Sequence, residues 1–261
     1  MTATAQRYQF RNTTAQLGPL QEVLDPITFD ELARLGITGG QTALDVGAGA
    51  GSIVRHLSEL VGRDGKVLAV DMDTRLLDPT GVVDVYQRDL RSQPLPVEPG
   101  SVDVAAARCV LEHLPNRHDV LDQMIIALRP GGQLVLGEIV YAPIAVHAPA
   151  DDDNQLIGWV VNTILSVLDD RGVDLHWGDM VPAVLLANGF QDVRTRWIAR
   201  TWAGGTPGCR LYADNATQLS DRLLTHGLTH ADLDRFAELM DDPTVLVRGY
   251  TFASTTARKP R

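Results

Sequence analysis

Thr42-Ala43-Leu44-Asp45-Val46-Gly47-Ala48-Gly49-Ala50-Gly51-Ser52 reads as a short apolar strand, a turn with glycine at every second position, and the start of a helix. Glycine lets the backbone turn at φ > 0 and lets a ligand approach main-chain N–H groups without meeting a Cβ. The helix that follows begins with unpaired N–H groups, which favour a carboxylate or phosphate. The stretch predicts a nucleotide-like cofactor site at the carboxyl edge of a parallel sheet.

The flanking segments supply that sheet. From Ser52 the apolar residues Ile53, Val54, Leu57, Leu60 and Val61 follow helical spacing, and Gly62 is placed to cap the helix. Strands are expected at 66–70, 82–86, 102–107 and 133–140. An amphipathic helix over 116–128 is stopped by Arg129-Pro130-Gly131-Gly132. Nearly all-apolar strands alternating with helices mean a parallel sheet covered on both faces. After Tyr141 the alternation breaks. Helices are expected over 155–168 and from Asp179 to Asn188-Gly189, with His176 and Trp177 in the loop between them. Strand-like sequence returns at 193–202, followed by a loop at 204–208, a helix over 230–240 and a last strand at 245–256. Ahead of the glycine turn, helices over 20–35 are interrupted at Pro26. The fold class is α/β: a doubly wound, Rossmann-like, seven-stranded and mostly parallel sheet with an antiparallel last strand, N-terminal helices and a helical cap inserted after strand five. A single domain is expected, with a helical cover (1–40), a cofactor-binding core (41–140), a substrate cap (141–190) and C-terminal strands and helices (191–261).

Composition narrows the partners. The 261 residues are 44% hydrophobic and 21% charged, as in ordinary globular proteins. A formal net charge of −10 argues against nucleic acid or an anionic membrane as partner, because phosphate binding needs clustered basic charge. The two cysteines, Cys109 and Cys209, form no C-x-x-C pair, which fits a reducing compartment. The N-terminus carries no apolar targeting segment, and no run approaches the length of a membrane span. A cytoplasmic protein is expected, as a monomer or homodimer. No H-E-x-x-H pair or cysteine–histidine zinc pattern is present, so no metal is expected.

The cofactor follows from two departures from the dinucleotide fingerprint G-x-G-x-x-G. Ser52 stands where its third glycine belongs, and Asp45 ends strand one where a pyrophosphate would be repelled. Both favour a ligand with a cationic end, such as the ammonium and sulfonium of S-adenosylmethionine. Three further pieces appear in order: Val70-Asp71-Met72-Asp73, Arg88-Asp89-Leu90 and Leu128-Arg129-Pro130-Gly131-Gly132. With the glycine turn they make the chain, over about 41–139, resemble the class I S-adenosylmethionine-dependent methyltransferases. That resemblance implies that Asp45, Gly47, Ala48, Gly49, Gly51 and Ser52 hold the methionine portion, with Arg108 bordering it. It also implies that Asp71 accepts from the ribose hydroxyls, Met72 lies on the adenine face, and Asp89 and Leu90 meet the adenine edge. Charge-assisted bonds of this kind are worth about 1.5–3 kcal/mol each.

Methyl transfer is an in-line displacement, so catalysis is mostly alignment, with a base needed where the acceptor must lose a proton. His113, after strand four, is the candidate for a base or a substrate-orienting group; packing against the next helix is the alternative. Glu138, a carboxylate inside strand five, is costly to bury unless it faces the site, and is the second catalytic candidate. Glu112 is expected to face solvent or to pair with an arginine. Tyr8, Tyr141, His176, Trp177 and Trp202 are candidates to line a substrate pocket. The resemblance points to a small-molecule acceptor, such as a secondary metabolite or quinone-like compound, methylated on O, N or C. A binding protein of the same fold without methyl transfer is the alternative, and an NAD(P)-dependent oxidoreductase a third.

Overall fold

The computed structural model describes residues 14–79, 81–141 and 144–261, with side chains from Leu17 onward. In chain order the elements are α1 (Thr14–Arg34), β1 (Thr42–Val46), α2 (Ser52–Val61), β2 (Lys66–Asp71), β3 (Val83–Gln87) and β4 (Val102–Arg108). A single 3₁₀ turn (Leu111–His113) leads to α3 (Arg117–Ala127), β5 (Leu128–Val140), β6 (Ala145–His147), α4 (Asp151–Asp169) and α5 (Trp177–Ala187). Then come β7 (Gln191–Ile198), β8 (Thr201–Ala203), α6 (Pro207–Thr225), α7 (His230–Asp241), β9 (Leu246–Arg248) and β10 (Thr251–Arg258).

The main sheet has seven strands in the order β3-β2-β1-β4-β5-β10-β7. Strands β1 to β5 are mutually parallel, whereas β10 runs antiparallel between β5 and β7. Period-two alternation sends the strand side chains to opposite faces. Leu44, Val46, Leu134 and Leu136 pack with α3 and α5, and Ala43, Val67, Ala69 and Val135 pack with α2 and Leu32 of α1. The strand order reverses between β1 and β4, and their carboxyl ends frame the crevice where ligands bind in such sheets.

Elsewhere the expected boundaries shift for identifiable reasons. α1 is one helix running through Pro19 and Pro26. Its face of Val23, Leu24 and Ile27 packs against Phe252 of β10, which offsets the backbone hydrogen bonds the prolines remove. Trp177 is not in a loop: it opens α5 and is buried beneath the sheet. α5 therefore belongs to the sheet's helical layer and not to the cap. The expected loop at 204–208 ends early, because Pro207 starts α6 with its ring angle already helical. The stretch expected as a single last strand divides at Gly249-Tyr250 into β9 and β10. β9 leaves the main sheet to form a three-stranded sheet with β6 and β8.

The cap is a second core. Ile157, Val160 and Ile164 of α4, Tyr212, Leu219 and Leu223 of α6, and Phe236 and Leu239 of α7 pack into one apolar cluster with β9. The small sheet is fastened to α6 through Trp202, whose indole lies so close to Gly208 and Gly249 that a Cβ at either would overlap its ring. Gly208→Ala is accordingly expected to destabilise the protein by about 1–3 kcal/mol through overpacking, although glycine-to-alanine in an open helix gains about 1 kcal/mol. Urea denaturation of the variant checks the sign.

Candidate functional site

The glycine turn bends as its sequence requires, with Gly47, Gly49 and Gly51 at φ +74, +55 and +76. At Gly47 space as well as conformation demands glycine, since a Cβ there would collide with Val110 in the loop after β4. The turn spends its N–H groups internally. Gly47 and Ala48 donate to the Val70 carbonyl at 2.8 and 3.1 Å, and Gly51 donates to the Ala48 carbonyl at 2.8 Å. Gly49 donates to Asp71 Oδ2 at 2.8 Å. A pyrophosphate would need those donors free, so the turn does not fit a dinucleotide.

It does fit a nucleoside bearing hydroxyls and a cation. Asp71 is buried at the end of β2, and its Oδ1 accepts from the Asp73 N–H at 2.9 Å. The two backbone donors fix the plane of this carboxylate at the cavity edge. Val70, Met72 and Leu90 supply apolar surface beside it, and Asp89 stands at the edge. The Arg91 guanidinium grips Asp89 at 2.6 and 2.8 Å and holds its carboxyl below the usual range. Asp89 thus closes its own loop and lines the cavity at the same time.

Arg108, ending β4, joins the layers. Its guanidinium lies 2.8 Å from Asp25 and 3.2 Å from Thr28, both on α1, and 3.2 Å from the hydroxyl of Ser52 at the start of α2. Ser52 in turn donates to Asp25 at 2.8 Å. Asp45 lies behind this cluster, fully buried, with Oδ2 lacking a hydrogen-bond partner among the described residues. Burial pushes its carboxyl up to about 7, with the charges of Asp71 and Asp25 adding and that of Arg108 opposing. Of the expected cofactor residues, Gly47, Gly49, Asp71, Met72, Asp89, Leu90 and Arg108 line the cavity. Asp45, Ala48, Gly51 and Ser52 stand behind its wall and shape it.

The cavity, about 300 Å³, continues past the glycine turn under the cap. Cys109 turns the chain into its floor at φ +53, a left-handed conformation uncommon for a residue with a Cβ. The next residues form a buried polar cluster. Glu112 is wholly buried and lines the cavity, contrary to the expectation that it faces solvent. It accepts from the Ile139 N–H at 3.2 Å and the Tyr141 hydroxyl at 3.4 Å, and its Oε1 lies 3.3 Å from His113 Nε2. His113 and Tyr141 both line the cavity. Burial and the Glu112 charge raise the Tyr141 phenol well above its ordinary value, so it remains a donor.

Glu138 is placed differently from the sequence expectation. It lies beside Gly178 of α5, outside the cavity lining, and its Oε1 accepts from the Leu111 N–H at 3.3 Å. Burial, reinforced by Glu112, raises its carboxyl well above the usual range, so it is held neutral.

Three candidates for the substrate pocket fall elsewhere. His176 is 81% exposed and Trp177 packs edge-on to His118. Trp202 binds the small sheet to α6. Tyr8 lies outside the described residues. Sequence reasoning missed Glu112, Asn215 and Tyr250, all of which line the cavity. A readable signal existed for Asn215, a polar residue inside the apolar stripe Leu211, Tyr212, Ala216, Leu219. Among the described residues no cluster of His, Cys, Asp and Glu is arranged to hold a metal ion, and no helix is long and apolar enough to cross a membrane.

A sheet of this order, with a glycine turn after one central strand and a fixed carboxylate ending the next, defines a nucleoside-binding protein of the doubly wound α/β class. Residues 44–136 match the family model described as a methyltransferase domain, and over this segment the chain is similar to S-adenosylmethionine-dependent methyltransferases. Over 149 residues the chain is 31% identical to an arsenite methyltransferase of Halobacterium salinarum, covering 52% of this chain and 38% of that one. Over 116 residues it is 31% identical to a demethylmenaquinone methyltransferase of Oceanobacillus iheyensis, covering 41% and 48%. The chain thus spans less than half the length of these two curated relatives. Its fold is similar to that of phosphoethanolamine N-methyltransferase 2 of Haemonchus contortus in complex with phosphomonomethylethanolamine and S-adenosylhomocysteine. There the TM-score is 0.60 at 16% identity, covering 98% of this chain and 59% of that chain. It is also similar to the YcgJ protein of Bacillus subtilis, with a TM-score of 0.58 at 15% identity, covering 90% and 99%.

Asp45 makes a pH prediction. Its folded-state value of about 7 lies above the ordinary 3.8, so the folded protein holds a proton that the unfolded chain releases between those limits. The resulting penalty on folding is absent below about pH 4 and complete above about pH 7. Asp45→Asn is expected to be more stable than the parent at pH 8, by about 1–3 kcal/mol, and nearly equal to it at pH 4. Urea denaturation at the two pH values measures the difference.

Proposed function

We propose that this chain transfers a methyl group from S-adenosylmethionine to a small-molecule acceptor held under the cap. The observation that carries the reading is Asp71, a buried carboxylate whose plane is fixed by two backbone N–H groups at the edge of the cavity, one of them from the glycine turn itself. When bound, S-adenosylmethionine supplies a methyl group on a sulfonium, already activated toward a nucleophile. The chain's own residues provide the rest. Asp71 accepts from the ribose hydroxyls, and Met72 and Leu90 enclose the base. Arg108, braced by Asp25 and Ser52, presents positive charge at the end where the donor carries its carboxylate.

The acceptor's proton goes to the His113 imidazole. Glu112 stabilises the imidazolium that forms, as an orienting carboxylate beside a general base does. Burial beneath the cap excludes water and strengthens these charges. A quinone-like or secondary-metabolite acceptor is supported by the menaquinone-pathway names among the relatives and by an acceptor half with apolar walls.

Calorimetry with S-adenosylhomocysteine and NADH tests the donor: micromolar binding of the first is expected, and binding of NADH alone overturns the reading. Asp71→Ala is expected to weaken S-adenosylhomocysteine at least about ten-fold, the equivalent of one charge-assisted hydrogen bond. A screen of quinols and phenols with labelled methyl donor then finds the acceptor. On that acceptor His113→Ala is expected to lower kcat by about 10²–10⁴-fold while S-adenosylhomocysteine affinity stays unchanged. An unchanged kcat removes His113 as the base.

A further inference from the structure

The cap side of the cavity carries two buried polar side chains whose hydrogen bonds are not completed within the fold. Asn215 sits on the buried stripe of α6, is 9% exposed, lines the cavity, and its Oδ1 has no hydrogen-bond partner among the described residues. Tyr250, at the joint between β9 and β10, is 7% exposed and lines the same cavity; its hydroxyl meets no partner at full hydrogen-bond geometry among the described residues, and the Tyr212 phenol interacts with it only loosely. Buried polar groups are paired in the great majority of cases, and one left unmade costs about 1–3 kcal/mol.

Packing does not account for either group. Asparagine is a weaker helix former than leucine or alanine, and either of those would continue the stripe of α6. The Tyr250 ring stands 5.2 Å from Tyr141 and 4.8 Å from Tyr212, contacts that a phenylalanine would keep. The Asn215 oxygen is therefore surplus to the fold, and the Tyr250 hydroxyl has a well-aligned hydrogen bond still to make beyond its loose contact with Tyr212. Around them the wall is mixed, with Ile139, Leu168, Val173 and Leu211 apolar and Glu112, His113 and Arg171 polar.

We propose that Asn215 and Tyr250 form a subsite for a second oxygen function on the methyl acceptor, a hydroxyl or carbonyl distinct from the atom that is methylated. This rests on the methyltransferase reading, which makes the acceptor the occupant of this half of the cavity. A hydroxyl satisfies both residues at once, donating to the amide oxygen and accepting from the phenol. A carbonyl accepts from the phenol and from the amide's NH₂ in its alternative orientation. Neither residue carries charge, so the group they select is neutral. Burial holds the Tyr250 phenol far above its ordinary value, which keeps it a donor at every working pH. The acceptor class is an apolar, ring-sized molecule with at least two oxygen functions. A site built to bond such an oxygen rejects an analogue lacking it, because its own groups are then buried unpaired.

The test uses protein saturated with S-adenosylhomocysteine, titrated calorimetrically with 2,6-dihydroxynaphthalene, 2-naphthol and 2-naphthoate. The dihydroxy probe is expected to bind about ten-fold more tightly than 2-naphthol, as one recovered hydrogen bond predicts. In Asn215→Leu and Tyr250→Phe that advantage should fall below about two-fold, with S-adenosylhomocysteine affinity unchanged. Tyr250→Phe keeps the ring contacts, so it remains informative if Asn215→Leu fails to fold. Equal binding of the two neutral probes, no binding of either, an advantage that survives Tyr250→Phe, or preference for the carboxylate probe overturns the subsite. Failure of the parent protein to bind S-adenosylhomocysteine strikes the methyltransferase reading instead, so the two failures are distinguishable.

Discussion

The guanidinium of Arg108 is the contact on which the site's shape depends. Buried ion pairs are expensive to form and destructive to break, because removing one partner strands the other without water. Here the charge is shared among Asp25 and Thr28 on α1 and Ser52 on α2, at 2.8 to 3.2 Å. The price of burial is offset by several hydrogen bonds, and the helix preceding the sheet is fixed against the end of β4. Leu17 and Leu20 on that helix then become cavity wall. The same arrangement explains why Asp45 tolerates full burial: a cation stands close by even though its second oxygen is unbonded.

A second pair of buried acids divides the labour on the far side. Glu112 belongs to the 3₁₀ turn and Glu138 lies on the strand beside it. Burial, with the Glu112 charge close by, pushes the Glu138 carboxyl well above its usual range, and its Oε1 accepts from the Leu111 N–H. Glu112 turns inward to His113 and Tyr141. The sequence reading placed the functional carboxylate at Glu138, inside a strand where a charge looks anomalous. Its position in β5 gives that carboxylate one backbone partner, the Leu111 N–H, in the loop opposite.

The donor half was legible because its information is local. A strand, three alternating glycines and a carboxylate at the end of the next strand fix the turn, the sheet edge and Asp71 by spacing alone. The cap was less legible because its elements are sorted by tertiary packing. Nothing in the run Leu175-His176-Trp177-Gly178 says that the tryptophan goes under the sheet, where Gly178 meets β5 and Arg117 reaches the indole face. Nor does the stretch after Val245 announce that it changes sheets at Gly249. Glu112 escaped because a 3₁₀ turn of this length has no period to reveal which side is buried.

The cavity wall draws on two parts of the molecule with separate cores. The glycine turn and Asp71 are set by the sheet, with α2 and the strands packed in their own clusters. The residues lining the cavity from the cap belong to α4, α6 and the β9–β10 joint, which pack chiefly on one another. Substitutions at separate, non-contacting sites act nearly independently. The cap can therefore be recut, by evolution or by a library confined to its few inward positions, while the donor half stays intact. In this fold, substrate choice is an interchangeable fitting on a fixed chassis.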